Sequence, residues 1–338
     1  MMKILPWMYN HRIISEVNPS MRYNGEEPFE AWQKRAKETL RTLLGMDNLC
    51  PAEDKKFNIE YTKDEGEYTE YRFTLESEVG YTLPCVMRVP AGAVGKLPVM
   101  LCLQGHSTGM HISLGKPIFP NDVNSISGGD RDFVVRGVKE GYISIAIEQR
   151  NFGECGGHPE KGVPMCHVSS MYYILIGRTT IGERILDVSA VIDVICENFD
   201  FVDADNICLM GNSGGGTATY YTACLEERIK LAMPSCAVCT YKHSIAAMEH
   251  CVCNFIPGIV HYFDMGDLAG MIAPRPLIVV NGKDDPIFPA EGVVESFEII
   301  KKMYETAGAP DKCVLVTGNG GHRFYADPAW TEVHRLNK

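Results

Sequence analysis

The 338-residue sequence predicts an α/β protein, a three-layer sandwich whose mostly parallel central sheet carries helices on both faces. Three observations predict it. From residue 98 onward come short, nearly continuous apolar runs, PVMLCLQG, GYISIAIEQ, NICLMGNS, KLAMPS, PLIVVNG and CVLVTG. Strands that are apolar on both faces belong to a parallel sheet covered on both sides. Longer segments with helical apolar spacing separate these runs, so strand and helix alternate as in a βαβ series. Finally, 45% hydrophobic and 22% charged residues give the composition of a packed globular chain, far from that of disorder.

Taken in order, residues 28–45, PFEAWQKRAKETLRTLLG, start at a Pro suited to a first helical turn and stop at a Gly. Phe29, Trp32, Ala36, Leu40 and Leu43 recur on one face, which predicts an amphipathic helix. Residues 57–89 carry Tyr, Phe, Val and Thr in short stretches broken by turn-like groups at 63–66 and 78–80, the pattern of antiparallel strands. Beyond them, DRDFVVRGVKE, RTTIGERILDVSAVIDVICENF, GGTATYYTACLEE and AEGVVESFEIIKKMYETAG read as crossover helices. Residues 110–130 and 236–273 fit neither period and are expected to be excursions that form a pocket or lid. The chain thus divides into an N-terminal helical extension, 1–56, and a sheet-based domain, 57–338, with a pocket-forming insertion at about 236–273.

Charge narrows the partners. Lys and Arg number 32 against 43 Asp and Glu, a net charge of −11 that repels a phosphate backbone and offers no basic patch to a membrane. Neither a nucleic-acid nor a membrane partner is expected, and either a monomer or a homo-oligomer is compatible with this balance. No run approaches the roughly 18 apolar residues of a membrane span. The opening MMKILPWMYNHR has neither the apolar stretch nor the cleavage site of a signal peptide. Thirteen cysteines, an odd number with several inside strand-like runs (Cys85, Cys102, Cys208), then read as reduced, buried thiols of a cytoplasmic protein.

The chemistry concentrates after four of the apolar runs. Gly211-Asn212-Ser213-Gly214-Gly215 follows ICLM directly and opens a helical segment, the strand, sharp turn and helix that a nucleophile elbow needs. There is neither a G-x-G-x-x-G nor a Lys after the glycines, which disfavours a nucleotide-binding turn. A serine hydroxyl needs a base, and the base an orienting carboxylate. Lys283-Asp284-Asp285-Pro286 follows PLIVVNG, and Asn319-Gly320-Gly321-His322 follows CVLVTG. Ser213, Asp285 and His322 therefore stand at the carboxyl ends of sheet strands, where open α/β sheets place their sites. Asp285 is favoured over Asp284 by its spacing from Gly282. The oxyanion donors are expected to be the backbone amides of Gly214 and of His106, the latter in the Gln104-Gly105-His106 loop after PVMLCL. A neutral imidazole base predicts activity that is weak in mild acid and rises toward a plateau above neutrality.

With these residues in place, the sequence resembles the α/β-hydrolase superfamily, and within it the acetyl xylan esterase, cephalosporin deacetylase and dienelactone hydrolase-like branch. The matching pieces are Gln104-Gly105-His106, Glu148 to Glu154, Gly211 to Gly215, Ala273-Pro274-Arg275-Pro276, Gly282 to Pro289 and Gly320-Gly321-His322, spanning about residues 80–330. Gln104 stands where the family often has His, and Asn151 where it has the Gly of an Arg-Gly pair. The resemblance implies a Ser213-His322-Asp285 triad, oxyanion donors at Gly214 and His106, no cofactor, and hydrolysis of a small-molecule or carbohydrate ester through an acyl-enzyme. A serine peptidase, a dienelactone hydrolase-like enzyme and a catalytically silent ligand-binding protein on the same fold are the competing readings.

Other residues are expected to be structural. Cys236-Ala-Val-Cys239 and Cys251-Val-Cys253, with His243, His250 and His261 nearby, do not have a usual zinc spacing and read as free thiols without a metal. The Met, Phe and Tyr residues between Phe255 and Leu268 are expected to line an acyl or alcohol pocket or to fill core. Glu148 and Arg150, just past a strand, are expected to brace the site through hydrogen bonds.

Overall fold

The apolar runs become one contiguous parallel block of a single sheet. In the computed structural model, which describes residues 5–338, the strands are β1 (Asn58–Asp64), β2 (Tyr68–Glu78), β3 (Tyr81–Pro90), β4 (Leu97–Leu103), β5 (Ile143–Ile147), β6 (Val202–Asn212), β7 (Ile229–Ser235), β8 (Leu277–Gly282) and β9 (Cys313–Gly318). Their spatial order is β1-β2-β3-β5-β4-β6-β7-β8-β9. The β1-β2, β2-β3 and β3-β5 pairs are antiparallel, as the 57–89 pattern requires, and every pairing from β5-β4 to β8-β9 is parallel.

The helices are α1 (Pro6–Glu16), α2 (Phe29–Leu43), α3 (Phe133–Lys139), α4 (Cys166–Leu175), α5 (Thr180–Asn198), α6 (Gly214–Leu225), α7 (Met265–Leu268), α8 (Ala290–Thr306) and α9 (Ala326–Leu336). Alternation along the central strands divides the core in two. Val99, Leu101, Leu103, Ile145 and Leu209 face a core completed by α2, α5, α6 and α8. Met100, Cys102, Ala146, Cys208 and Met210 face the other side, against Phe133 and Val134 of α3 and Trp330 and Val333 of α9. Each fully buried aliphatic or aromatic side chain contributes ~1.5–3 kcal/mol, so both layers are tied to the sheet by burial. The fold is the three-layer sandwich that continuous apolar strands demand.

Local contacts show how these elements and the irregular stretches are seated. Trp32, Ala36 and Leu40 of α2 are buried, and Trp32 Nε1–H donates to the Met21 carbonyl at 2.8 Å. Within residues 236–273, Phe263, Met265 and Leu268 are fully buried in the larger core, so of the two expectations for this stretch core filling holds for them. Asp264 caps α7, and Arg22, between α1 and α2, clamps Asp267 through two bonds of 2.8 and 3.0 Å. The 110–130 stretch contributes Met110 and Leu114 to the second core and brings Asn124, Ser125 and Gly129 to the rim beside His322.

Candidate active site

Ser213 is the one residue between the end of β6 and the start of α6. Its φ of 56° and ψ of −124° are a conformation that side-chain-bearing residues seldom adopt. The surroundings hold it there. Ser213 N–H donates to the Ser235 carbonyl and its own carbonyl accepts from Thr217 N–H, both at 2.8 Å. Flanking glycines are required by contact as well as by the turn: a Cβ at Gly211 would lie 2.5 Å from the Gly215 carbonyl, and one at Gly215 would lie 2.2 Å from the Leu103 oxygen. Strand, turn and helix are packed backbone to backbone, which lifts the serine clear of the sheet.

Two neighbouring strand ends bring the acid and the base together. The loops after β8 and β9 are laced by Lys283 N–H to the Gly318 carbonyl (3.0 Å) and Asp284 N–H to the Gly320 carbonyl (2.9 Å). Across that seam, His322 Nδ1 lies 2.9 Å from Asp285 Oδ2. The other carboxylate oxygen accepts the amides of Ile287 (2.8 Å) and Phe288 (3.1 Å), and the Phe288 ring stacks on the imidazole. Burial alone would raise the Asp285 carboxyl. The hydrogen bond and charge of His322, with the two amides, outweigh it and hold the acid below its ordinary value, so it stays ionised. Asp284 is exposed and serves the seam only through its main chain. Among the described residues no hydrogen bond joins Ser213 Oγ to the imidazole; in ligand-free sites that bond is often long and tightens when substrate binds.

The loop after β4 presses on the nucleophile. A Cβ at Gly105 would stand 2.8 Å from Ser213 Cβ, and one at Gly214 would stand 3.2 Å from the His106 ring. Among the described residues neither the His106 nor the Gly214 amide has a protein acceptor, so both remain available to a developing oxyanion. Gln104 secures this loop: its side-chain amide donates to Ser113 Oγ (2.6 Å) and to the Arg131 carbonyl (2.8 Å). Asn151 has φ 77°, a left-handed conformation that Asn tolerates better than most residues, which explains its occupying a glycine position. His322 opens on a cleft lined by Asn124, Ser125, Gly129, Arg131 and Arg323.

The bracing residues are buried. Glu148 accepts the amides of Met110 (3.1 Å) and Glu154 (3.2 Å), and burial pushes its carboxyl up to about 8. Arg150 pairs with Glu78, Asp187 and Glu183 at 2.8, 2.9 and 3.0 Å, joining the end of β2 to α5.

The cysteines of 236–253 do not form one group. Cys236, just after β7, lies against the Asp285–His322 pair; burial first, then the Asp285 carboxylate, push its thiol up to about 12, and the neutral S–H donates to the Arg323 carbonyl at 3.2 Å. Cys239 faces the Pro289 carbonyl at 3.8 Å. Cys251 and Cys253 instead meet Cys166, at the start of α4, and the His106 side chain, with all four ligand atoms within 4.8 Å of one another. Cys166 and His106 stand 85 or more positions from the other two, so no spacing motif reveals this group.

Comparison with known proteins agrees with this architecture. The family model described as Abhydrolase family matches residues 221–331. YtaP of Bacillus subtilis (strain 168), which carries the name of a hydrolase, is 28% identical over 185 residues; the match spans 54% of this chain and about 60% of that protein. A Bacteroides fragilis structure described as an acetyl xylan esterase superposes with a TM-score of 0.78 at 17% identity, covering 97% of this chain and 84% of that one. Methylesterase BT1017 gives 0.69 at 19% identity, covering 98% and 69%, and the glucuronoyl esterase from Solibacter usitatus gives 0.68 at 14%, covering 96% and 98%. The chain has the α/β-hydrolase fold. The family match is confined to the segment from α6 to α9, and the sheet order and the elbow are those of this fold.

Proposed function

We propose that this enzyme is a serine carboxylic-ester hydrolase, an acetyl esterase or deacetylase acting on a small or carbohydrate ester. The observation that carries the reading is the backbone of Ser213, held at φ 56° between β6 and α6, with the Asp285–His322 pair of 2.9 Å on the two loops that end β8 and β9. Ser213 Oγ attacks the ester carbonyl while His322 takes its proton, and the amides of Gly214 and His106 receive the oxyanion. His322 then protonates the departing alcohol, and water attacks the acyl-enzyme by the same route. Ionised Asp285 holds the imidazole in the tautomer that carries its proton on Nδ1 and stabilises the imidazolium. The solved structures named above include a glucuronoyl esterase and one that carries the name of an acetyl xylan esterase, which supports an ester carried on a carbohydrate.

A chromogenic acetyl ester tests this directly. The wild type should turn it over, and Ser213→Ala should lower the rate by about 10³-fold or more with a nearly unchanged thermal transition. Near wild-type turnover in the variant would remove Ser213 from the chemistry, and a wild type inert toward acetyl and uronate esters alike would favour a silent binding protein.

A further inference from the structure

We propose that Cys166, Cys251, Cys253 and the His106 side chain form a structural zinc site that pins the oxyanion loop to the 251–254 turn and to α4. The donor set is three sulfurs and one imidazole nitrogen, one of the sets that closes a tetrahedral structural zinc site. Its geometry fits. Zn–S bonds of about 2.3 Å and a Zn–N bond of about 2.0–2.1 Å place the corners of such a tetrahedron ~3.5–3.8 Å apart. Here His106 Nε2 lies 3.4 Å from Cys253 Sγ, and all four ligand atoms fall within 4.8 Å of one another. None of the three thiols is in a disulfide.

A second observation, independent of the cluster's composition, comes from Arg184. The residue is 1% exposed, and among the described residues no carboxylate forms an ion pair with its guanidinium. It rests on the Phe152 ring, reaches the Arg150 carbonyl at 3.2 Å and points Nη2 at Cys166 Sγ, 3.6 Å away. A buried cation without an anion is costly. On zinc binding, three thiols each release a proton, and three thiolates, a neutral imidazole and Zn²⁺ carry a net charge of −1. Arg184 supplies the opposite charge.

The surroundings also resemble the second shell of a metal centre, in which polar groups orient the ligands. Asn254 Nδ2 donates to Cys253 Sγ (3.4 Å), while its Oδ1 accepts from Thr217 Oγ1 (3.0 Å) on α6. The His106 ring is braced edge-on by Phe152 at 5.2 Å. Because His106 offers its side chain to this group and its backbone amide to the oxyanion, the metal would fix the loop without taking part in acyl transfer. The inference stands whether or not the chain proves to be an esterase.

The test is metal content of the full chain, purified untagged and without chelator. About one zinc per chain is expected in the wild type and in the control C196S, and far less in C166S and C253S. Zinc added to metal-free wild type should raise its thermal transition, and a strong chelator should lower it. Replacing zinc with Co²⁺ should give the intense visible bands and thiolate charge-transfer absorption of a tetrahedral sulfur-rich centre. These wild-type readouts remain informative if the cysteine variants fail to fold. A wild type that neither holds zinc as purified nor takes it up on titration would overturn the proposal. So would zinc retained undiminished in C166S and C253S, or a disulfide found among the three cysteines.

Discussion

At the scale of single residues, the two adjacent acids at 284 and 285 have very different surroundings. Asp285 is buried, accepts two amides and meets His322 at 2.9 Å, whereas Asp284 is exposed. Asp285→Asn is expected to lower ester turnover by ~10⁴-fold because the imidazole loses the partner that sets its tautomer, while Asp284→Asn should stay within a few fold. Equal effects of the two substitutions would show that the pairing does not matter to the chemistry. Glu148 makes a different prediction. Its carboxyl is raised to about 8 by burial, so between the ordinary carboxylate value and about 8 the folded protein binds a proton that the unfolded chain has lost. That contribution to stability is present in mild acid and declines as pH rises through this window. Glu148→Gln keeps an acceptor for the two amides and does not titrate, so the fall in melting temperature from pH 5.5 to 8.5 should be smaller in the variant by a few degrees; parallel curves would contradict this.

Elements, next, are held by polar joints as much as by apolar contact. Arg150 sits among three carboxylates from β2 and α5, and Arg178 shares two of them, Glu78 at 2.9 Å and Glu183 at 3.4 Å. Removing one partner of a buried ionic group leaves charge uncompensated, typically at ~3–5 kcal/mol. Arg150→Met should therefore lower the free energy of unfolding, measured by urea titration, by that amount, and a change below ~1 kcal/mol would mean that Arg178 alone neutralises the group. The same joint explains what the sequence could and could not announce. Arg150 beside a strand end was legible as a brace; its partners, separated from it by 33 to 72 positions, were not, because pairing at that distance depends on how β2 and α5 are brought together.

For the whole molecule, the parallel block was legible because strands buried on both faces must be almost wholly apolar, and PVMLCL, ISIAI, ICLM and LIVV are, with Ser144 the one hydroxyl among them. The elbow was legible because a strained strand-to-helix turn demands small flanking residues, here Gly211, Gly214 and Gly215. Helices whose placement depends on tertiary context were not: α1 buries no side chain, and α4 carries only two buried residues, Cys166 and Ser170. The four-ligand group was hidden for a related reason, since Cys166 and His106 belong to segments with no local mark of metal binding and meet Cys251 and Cys253 only once α4 and the loop after β4 are packed. What the assembled molecule offers is one strained serine beneath two free amides, with an acid–base pair on the adjoining loops. The most direct test of that claim is covalent labelling with a serine-reactive fluorophosphonate, read by intact mass and peptide mapping. A single adduct per chain is expected, located on Ser213, its formation running in step with loss of ester hydrolysis and abolished in Ser213→Ala. Inactivation accompanied by an adduct elsewhere, or hydrolysis that persists once Ser213 is fully labelled, would contradict it.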